Sequence, residues 1–81
     1  MYEIEFKPQA FKDLSGIPRD YQEKIRDRIE EMRDGLKGDV RKLVNFQPPF
    51  RLRVGRYRVL FEVVGNRIII FRIKIRDTQT Y

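Results

Sequence analysis

The sequence predicts a small α+β domain. Its sheet has four strands, antiparallel but mixed where the N-terminal strand joins, and two N-terminal helices pack on one face. Two observations carry this. Apolar residues alternate with a period of two at the start of the chain and again after residue 50, and between these stretches they recur at helical spacing. With 81 residues, the chain forms one domain spanning 1–81 and buries a single modest core.

The first element is a strand. Tyr2, Ile4 and Phe6 alternate with Glu3 and Glu5, the period of a half-buried strand, and Pro8 ends it. A short helical turn follows over about Gln9 to Leu14, burying Ala10, Phe11 and Leu14 until Ser15-Gly16 breaks it. Pro18 then suits a first helical position, where a missing N–H loses no partner. Tyr21, Ile25, Ile29, Met32 and Leu36 recur three or four residues apart, forming one apolar stripe of a helix. Gly35 is its stop signal. The opposite face mixes Arg, Lys, Glu and Asp, the pattern of a solvated surface with ion pairs one turn apart.

Residues 37–49 read as a connection, punctuated by Gly38, Asn45 and Pro48-Pro49. Val40, Leu43, Val44 and Phe46 are placed to tuck under the sheet. Three strands fill the rest: Phe50–Val54, Arg56–Val64 and Arg67–Ile75, divided by Gly55 and by Gly65-Asn66.

Composition removes whole classes of chemistry. The chain has no Cys and no His. That excludes a disulfide framework, a thiolate nucleophile, a Cys-rich zinc site, a Ser-His-Asp triad and an imidazole general base. Neither a cofactor nor a metal is expected. The N-terminus lacks the apolar segment of a signal peptide, and no apolar run approaches the ~20 residues that span a bilayer. A cytoplasmic protein with no membrane partner is the expectation.

The formal net charge is +6, and it is localised. Residues 1–50 carry ten Lys+Arg and ten Asp+Glu. Residues 51–81 carry eight cations, seven of them Arg, against Glu62 and Asp77. Guanidinium makes bidentate contacts to phosphate, so this excess points to a phosphate-bearing partner.

Strand register decides where the cations fall. A two-residue turn at Gly55-Arg56, with Gly where a type II′ turn needs it, sets Val54 opposite Tyr57, Arg53 opposite Arg58 and Leu52 opposite Val59. For the second hairpin, a strict Gly65-Asn66 turn mixes polar and apolar on both faces. A shift of one segregates them, putting Arg58 opposite Arg72, Arg56 opposite Lys74, Val59 opposite Phe71 and Phe61 opposite Ile69. One face then buries Ile69, Phe71, Ile73 and Ile75. The other gathers Arg51, Arg53, Arg56, Arg58, Arg72, Lys74 and Arg76 over a floor of Leu60, Ile68 and Ile70. Such crowding of like charge has a cost in self-repulsion that a phosphate-rich ligand relieves.

The run Phe50-Arg51-Leu52-Arg53-Val54-Gly55-Arg56-Tyr57-Arg58-Val59-Leu60-Phe61-Glu62-Val63 closely resembles the RelE/ParE superfamily of bacterial type II toxins. Its pattern there is YRLRVGxYRVxYEV. The opening YxIxF-like strand, the stretch from Ile17-Pro18 to Ile29 and the C-terminal Tyr are similar too. The resemblance implies a RelE-like fold and a cognate acidic antitoxin that forms a hetero-oligomer with the toxin. In the RelE branch, favoured here, it implies metal-independent mRNA cleavage in the ribosomal A site. The ParE branch instead poisons DNA gyrase, and a binding module without activity is a third reading.

By the same resemblance, Arg58 supports the scissile phosphate and Arg51 and Arg53 are basic residues of the preceding strand. Tyr81 stacks on the base or shares in proton transfer. Arg76, or else Lys74, is the basic residue near the end of the last strand. The chain departs from the family at Ile75-Arg76-Asp77-Thr78-Gln79-Thr80-Tyr81, which lacks the His of the common GHRxxVY pattern. The catalytic set is then Arg58, Tyr81, Arg51, Arg53 and Arg76, with Arg56, Arg72 and Lys74 contacting RNA. Tyr81 among cations is favoured as phenolate and thus as general base. Arg is a poor proton donor, so catalysis should be mainly electrostatic and positional, with the ribosome orienting the mRNA.

Overall fold

The computed structural model describes residues 1–75. The elements are β1 (Glu3–Phe6), α1 (Pro8–Ser15), α2 (Arg19–Glu31), a 3₁₀ turn (Met32–Asp34), β2 (Asp39–Lys42), β3 (Phe50–Val54), β4 (Tyr57–Val64) and β5 (Arg67–Ile75). The strands form one five-stranded sheet in the order β1-β5-β4-β3-β2. The pairing of β1 with β5 is parallel and the rest are antiparallel. The expected class holds, with one strand more than expected. That strand is β2, with a single apolar residue at an edge position, so it has no alternation to betray it.

Pro8 does more than end β1: it opens α1 at a position that needs no N–H donor. The stripe of α2 is as the spacing predicts. Ile25, Ile29 and Met32 are buried, and Tyr21 and Leu36 are half-buried against the core. Phe11 is a correction. It is 65% exposed, because Ala10 and Leu14 take the buried face of the short α1. Of the connection, Val40 packs on the core through β2, while Val44 is exposed.

The core lies between the helices and one sheet face. Leu52, Val54, Tyr57, Val59, Phe61, Ile68, Ile70 and Ile73 face it. Phe50 stacks on Phe61, with ring centroids 5.5 Å apart, and Tyr21 of α2 meets Tyr57 of β4 at 5.3 Å.

The first hairpin has the predicted register, Val54 opposite Tyr57 and Arg53 opposite Arg58. Gly55, with φ +59°, occupies its first turn position. The second differs. Near the turn the strict two-residue pairing holds, Val64 opposite Arg67 through Phe61 opposite Ile70. A bulge then leaves Phe71 between partners, after which Leu60 faces Arg72, Val59 faces Ile73 and Arg58 faces Lys74. A bulge reverses side-chain parity once. Ile68 and Ile70 therefore enter the core, and Ile69 joins Leu60 on the far face. Phe71 is half-buried at the bulge, and Ile75 is 52% exposed.

Candidate active site

Because β3 and β4 keep one register, their odd–even alternation sends Arg51, Arg53, Arg58 and Leu60 to the sheet face away from the helices. The bulge in β5 adds Lys74 to that face. Arg53, Arg58 and Lys74 are register partners in one row across three adjacent strands. Arg51 stands in the next row, opposite Leu60 and Arg41.

Two of these cations are deeply placed. Arg51 is 6% exposed and Arg58 4% exposed, and Arg51 faces the buried Leu60. Burying a guanidinium is costly unless it is paired and hydrogen-bonded. Arg51 Nη1 donates to the Asp39 carbonyl at 3.0 Å and pairs with the Asp39 carboxylate at 3.2 Å. Its Nε–H is buried without a hydrogen-bond partner. Arg58 Nη1 donates to the Tyr57 carbonyl at 3.4 Å.

Asp39 is directly opposite Arg53, yet its ion pair is with Arg51. Arg53 is thus an exposed cation with no carboxylate held to it among the described residues. Arg56 sits exposed in the β3–β4 turn, and Lys74 is exposed near the end of β5.

Arg72 corrects the expectation. It is not opposite Arg58, and it does not stand as a free cation on this face. Beyond Ile70 the outer edge of β5 is no longer covered by β1, and α1 takes its place. Arg72 Nε donates to Asp13 Oδ2 at 2.8 Å and Nη2 to Oδ1 at 3.4 Å. The backbone N–H of Ile73 donates to the same Oδ2 at 3.0 Å. Burial pushes the Asp13 carboxyl up. The hydrogen bonds from Arg72, Ile73 and Gln9 outweigh it and hold the group below its ordinary value. The same bond raises Arg72, against the effect of its desolvation.

The structure therefore brings Arg51, Arg53, Arg58 and Lys74 together, with Arg56 at the adjoining turn, and diverts Arg72 to α1. Arg76 and Tyr81 lie outside the described residues. Asp39 and Asp13, which the sequence reading passed over, orient two of the arginines. Neither has a local signal, since each meets its partner only through the fold. Among the described residues no group of three or more His, Cys, Asp or Glu is placed to hold a metal ion. No described helix is long and apolar enough to cross a membrane.

Residues 4–79 match the family described as ParE toxin of type II toxin–antitoxin system, parDE. The chain is 33% identical over 78 residues to Toxin RelE3 of Methanocaldococcus jannaschii, covering 90% of this chain and 89% of that protein. Among solved structures it resembles the RelB-RelE antitoxin-toxin complex of Methanococcus jannaschii, with TM-score 0.76, 33% identity and 89% of each chain covered. It also resembles the archaeal RelE-RelB complex of Pyrococcus horikoshii OT3, with TM-score 0.79, 25% identity, and 95% of this chain and 97% of that one covered. The isolated E. coli RelE toxin shares the fold, with TM-score 0.81 at 13% identity, covering 99% and 89%. The expectation of a bacterial toxin is not confirmed, since an archaeal complex is among these likenesses.

Proposed function

The chain belongs to the ParE toxin family, within the RelE/ParE superfamily, and from that premise we propose that this RelE-like toxin is a ribosome-dependent mRNA endoribonuclease. The observation that carries the reading is the row Arg53–Arg58–Lys74 beside buried Arg51. It sets phosphate-binding side chains on a rigid sheet in a chain with no His or Cys. Sites built on strands hold their geometry better than sites on loops.

In this reading the substrate's own 2′-hydroxyl attacks the adjacent phosphorus in line. The hydroxyl loses its proton to Tyr81. The 5′-oxygen leaves with a proton taken from water, and the upstream product ends in a 2′,3′-cyclic phosphate. Arg58 clamps the non-bridging oxygens as the phosphorane forms. Arg51 and Arg53 give electrostatic support to the same developing charge. Arg76 assists, and Arg56 and Lys74 steady the strand. A preorganised guanidinium needs no metal to stabilise the phosphorane. The ribosome supplies the alignment that weak acid–base groups cannot. The partners are then mRNA, the ribosome and an acidic antitoxin, the last favoured by relatives solved as RelB-RelE complexes.

The match to the ParE family favours a second reading, inhibition of DNA gyrase without cleavage. Primer extension on mRNA from cells arrested by the protein separates the two. Discrete cuts within codons support the nuclease. Intact mRNA together with blocked gyrase supercoiling overturns it in favour of the second.

A further inference from the structure

Beside the β3–β4 turn lies a second concentration of positive charge, of which the proposed chemistry uses only Arg53. A cavity of about 230 Å³ opens between α2 and the turn, lined by Tyr21, Lys24, Arg28, Arg53, Val54 and Gly55. Three of these residues are cations and none is acidic. Lys24 and Arg28 are exposed and stand one helical turn apart, a like-charge spacing that destabilises a helix. Asp20 stands one turn before Lys24, where an ion pair would relieve the repulsion, but no ion pair joins Lys24, Arg28 or Arg53 to a carboxylate among the described residues. Lys24 lies instead 5.7 Å from the centre of the Tyr21 ring. The expected network of ion pairs on this face of α2 is therefore missing where the niche opens.

We propose that this niche is a second phosphate site, holding the backbone of the same single-stranded RNA whose reacting phosphate lies on the sheet face. Arg53 links the two sites. Its position borders the niche, and its side chain on the far face is the register partner of Arg58, so one strand passing over the turn from the helix side meets both. The inference rests on the ribonuclease reading. Phosphate chemistry, rather than an acidic protein segment, fits the lining. A protein interface needs an apolar, well-packed centre. The surface with that character is the groove of about 390 Å³ between α1 and α2, lined by Phe6, Phe11, Leu14 and Ile29 among others. The niche offers cations around a Tyr edge, the composition that tracks a nucleic-acid backbone.

The test uses the full chain with 2′-O-methyl RNA, which cannot be cleaved. Affinity is measured by fluorescence anisotropy across about 50 to 200 mM salt. The probes are a single strand of about 12 nucleotides, one of about 4, and a duplex hairpin. Each phosphate contact on a single strand contributes a slope of about −0.7. The double variant K24Q/R28Q should therefore make the slope for the longer strand shallower by about 1.4 and leave the short strand unchanged. Gln keeps the helix, and K12Q/K37Q, which removes the same charge elsewhere, should leave the slope for the longer strand unchanged.

An unaltered slope in K24Q/R28Q overturns the proposal. So does an effect confined to the duplex, which would assign the niche to a structured RNA. Weakened binding of an acidic antitoxin at unchanged RNA slope also overturns it, in favour of a protein partner. If the unaltered chain shows no salt-dependent RNA binding at all, the niche proposal fails, whereas the ribosome-dependent nuclease reading stands or falls on the primer extension.

Discussion

The two hairpins that share β4 begin alike and end differently. Each turns on a glycine with φ near +60° in a two-residue connection. The β3–β4 pair then runs in one register to its end, and its far-face arginines reach the site as neighbours. The β4–β5 pair inserts Phe71 and reverses parity once, and the two cations beyond the bulge, on one face by register, then part. Lys74 goes to the row with Arg58, whereas Arg72 goes to Asp13 on α1. Arginines close together in sequence thus serve different ends. Position in the ladder, more than charge, decides which of them is available to a phosphate.

The sharpest way to break this contrast is to remove one arginine from each side of it. Arg58→Ala should lower toxicity and RNA cleavage by about 10²–10³-fold, the usual cost of losing one preorganised donor to a developing oxyanion. Arg72→Ala should keep activity within about tenfold and act mainly on stability, since its side chain is held by Asp13. Antitoxin binding serves as the check that both variants fold. Equal losses of activity would place Arg72 in the site after all.

The next largest effect should come from Asp13. Its carboxylate accepts from the Arg72 side chain and from the Ile73 backbone N–H, joining α1 to the uncovered edge of β5. Asp13→Ala leaves both donors without that acceptor and should cost about 1–3 kcal/mol in urea unfolding. The pH dependence has a definite sign. Asp13 is held below its ordinary pKa of 3.8 in the folded state. Its contribution is therefore fully present above that ordinary value and is lost as pH falls through the lower, folded one. Asp13→Asn should flatten this acid limb, and an unchanged limb would show that another carboxylate carries it.

Much of this arrangement could be read from the sequence, and the reasons are specific. Arg53 opposite Arg58 follows from a two-residue Gly turn between alternating strands, where turn and pattern agree. The bulge does not follow, because Ile68-Ile69-Ile70-Phe71 is a continuous apolar run with no parity to conflict with either register. Segregating the faces from sequence finds the right parity beyond the bulge but shifts the pairing by two residues. The strand β2 and the hold of Asp39 on Arg51 were also beyond reach. Asp39-Val40-Arg41-Lys42 has no period, and a contact twelve residues away has no local trace. Tyr81 and Arg76 rest on family resemblance alone.

The turns offer the finest comparison. Both Gly55 and Gly65 have a left-handed φ, which a Cβ disfavours by about 1–2 kcal/mol. A methyl group at Gly65 would meet nothing within 4 Å, and one at Gly55 would come to 3.9 Å from Tyr21 Cε1, an ordinary contact. Steric surroundings thus add nothing at either site, and backbone strain alone predicts nearly equal destabilisation of G55A and G65A by about 1 kcal/mol. Chemical unfolding of the two variants side by side measures this. A much larger loss at G65A would mean that the first turn of β4–β5 is what holds the bulge, and with it Lys74, in place. Equal losses would assign that task to Asp13 of α1, which holds the far end of the same strand.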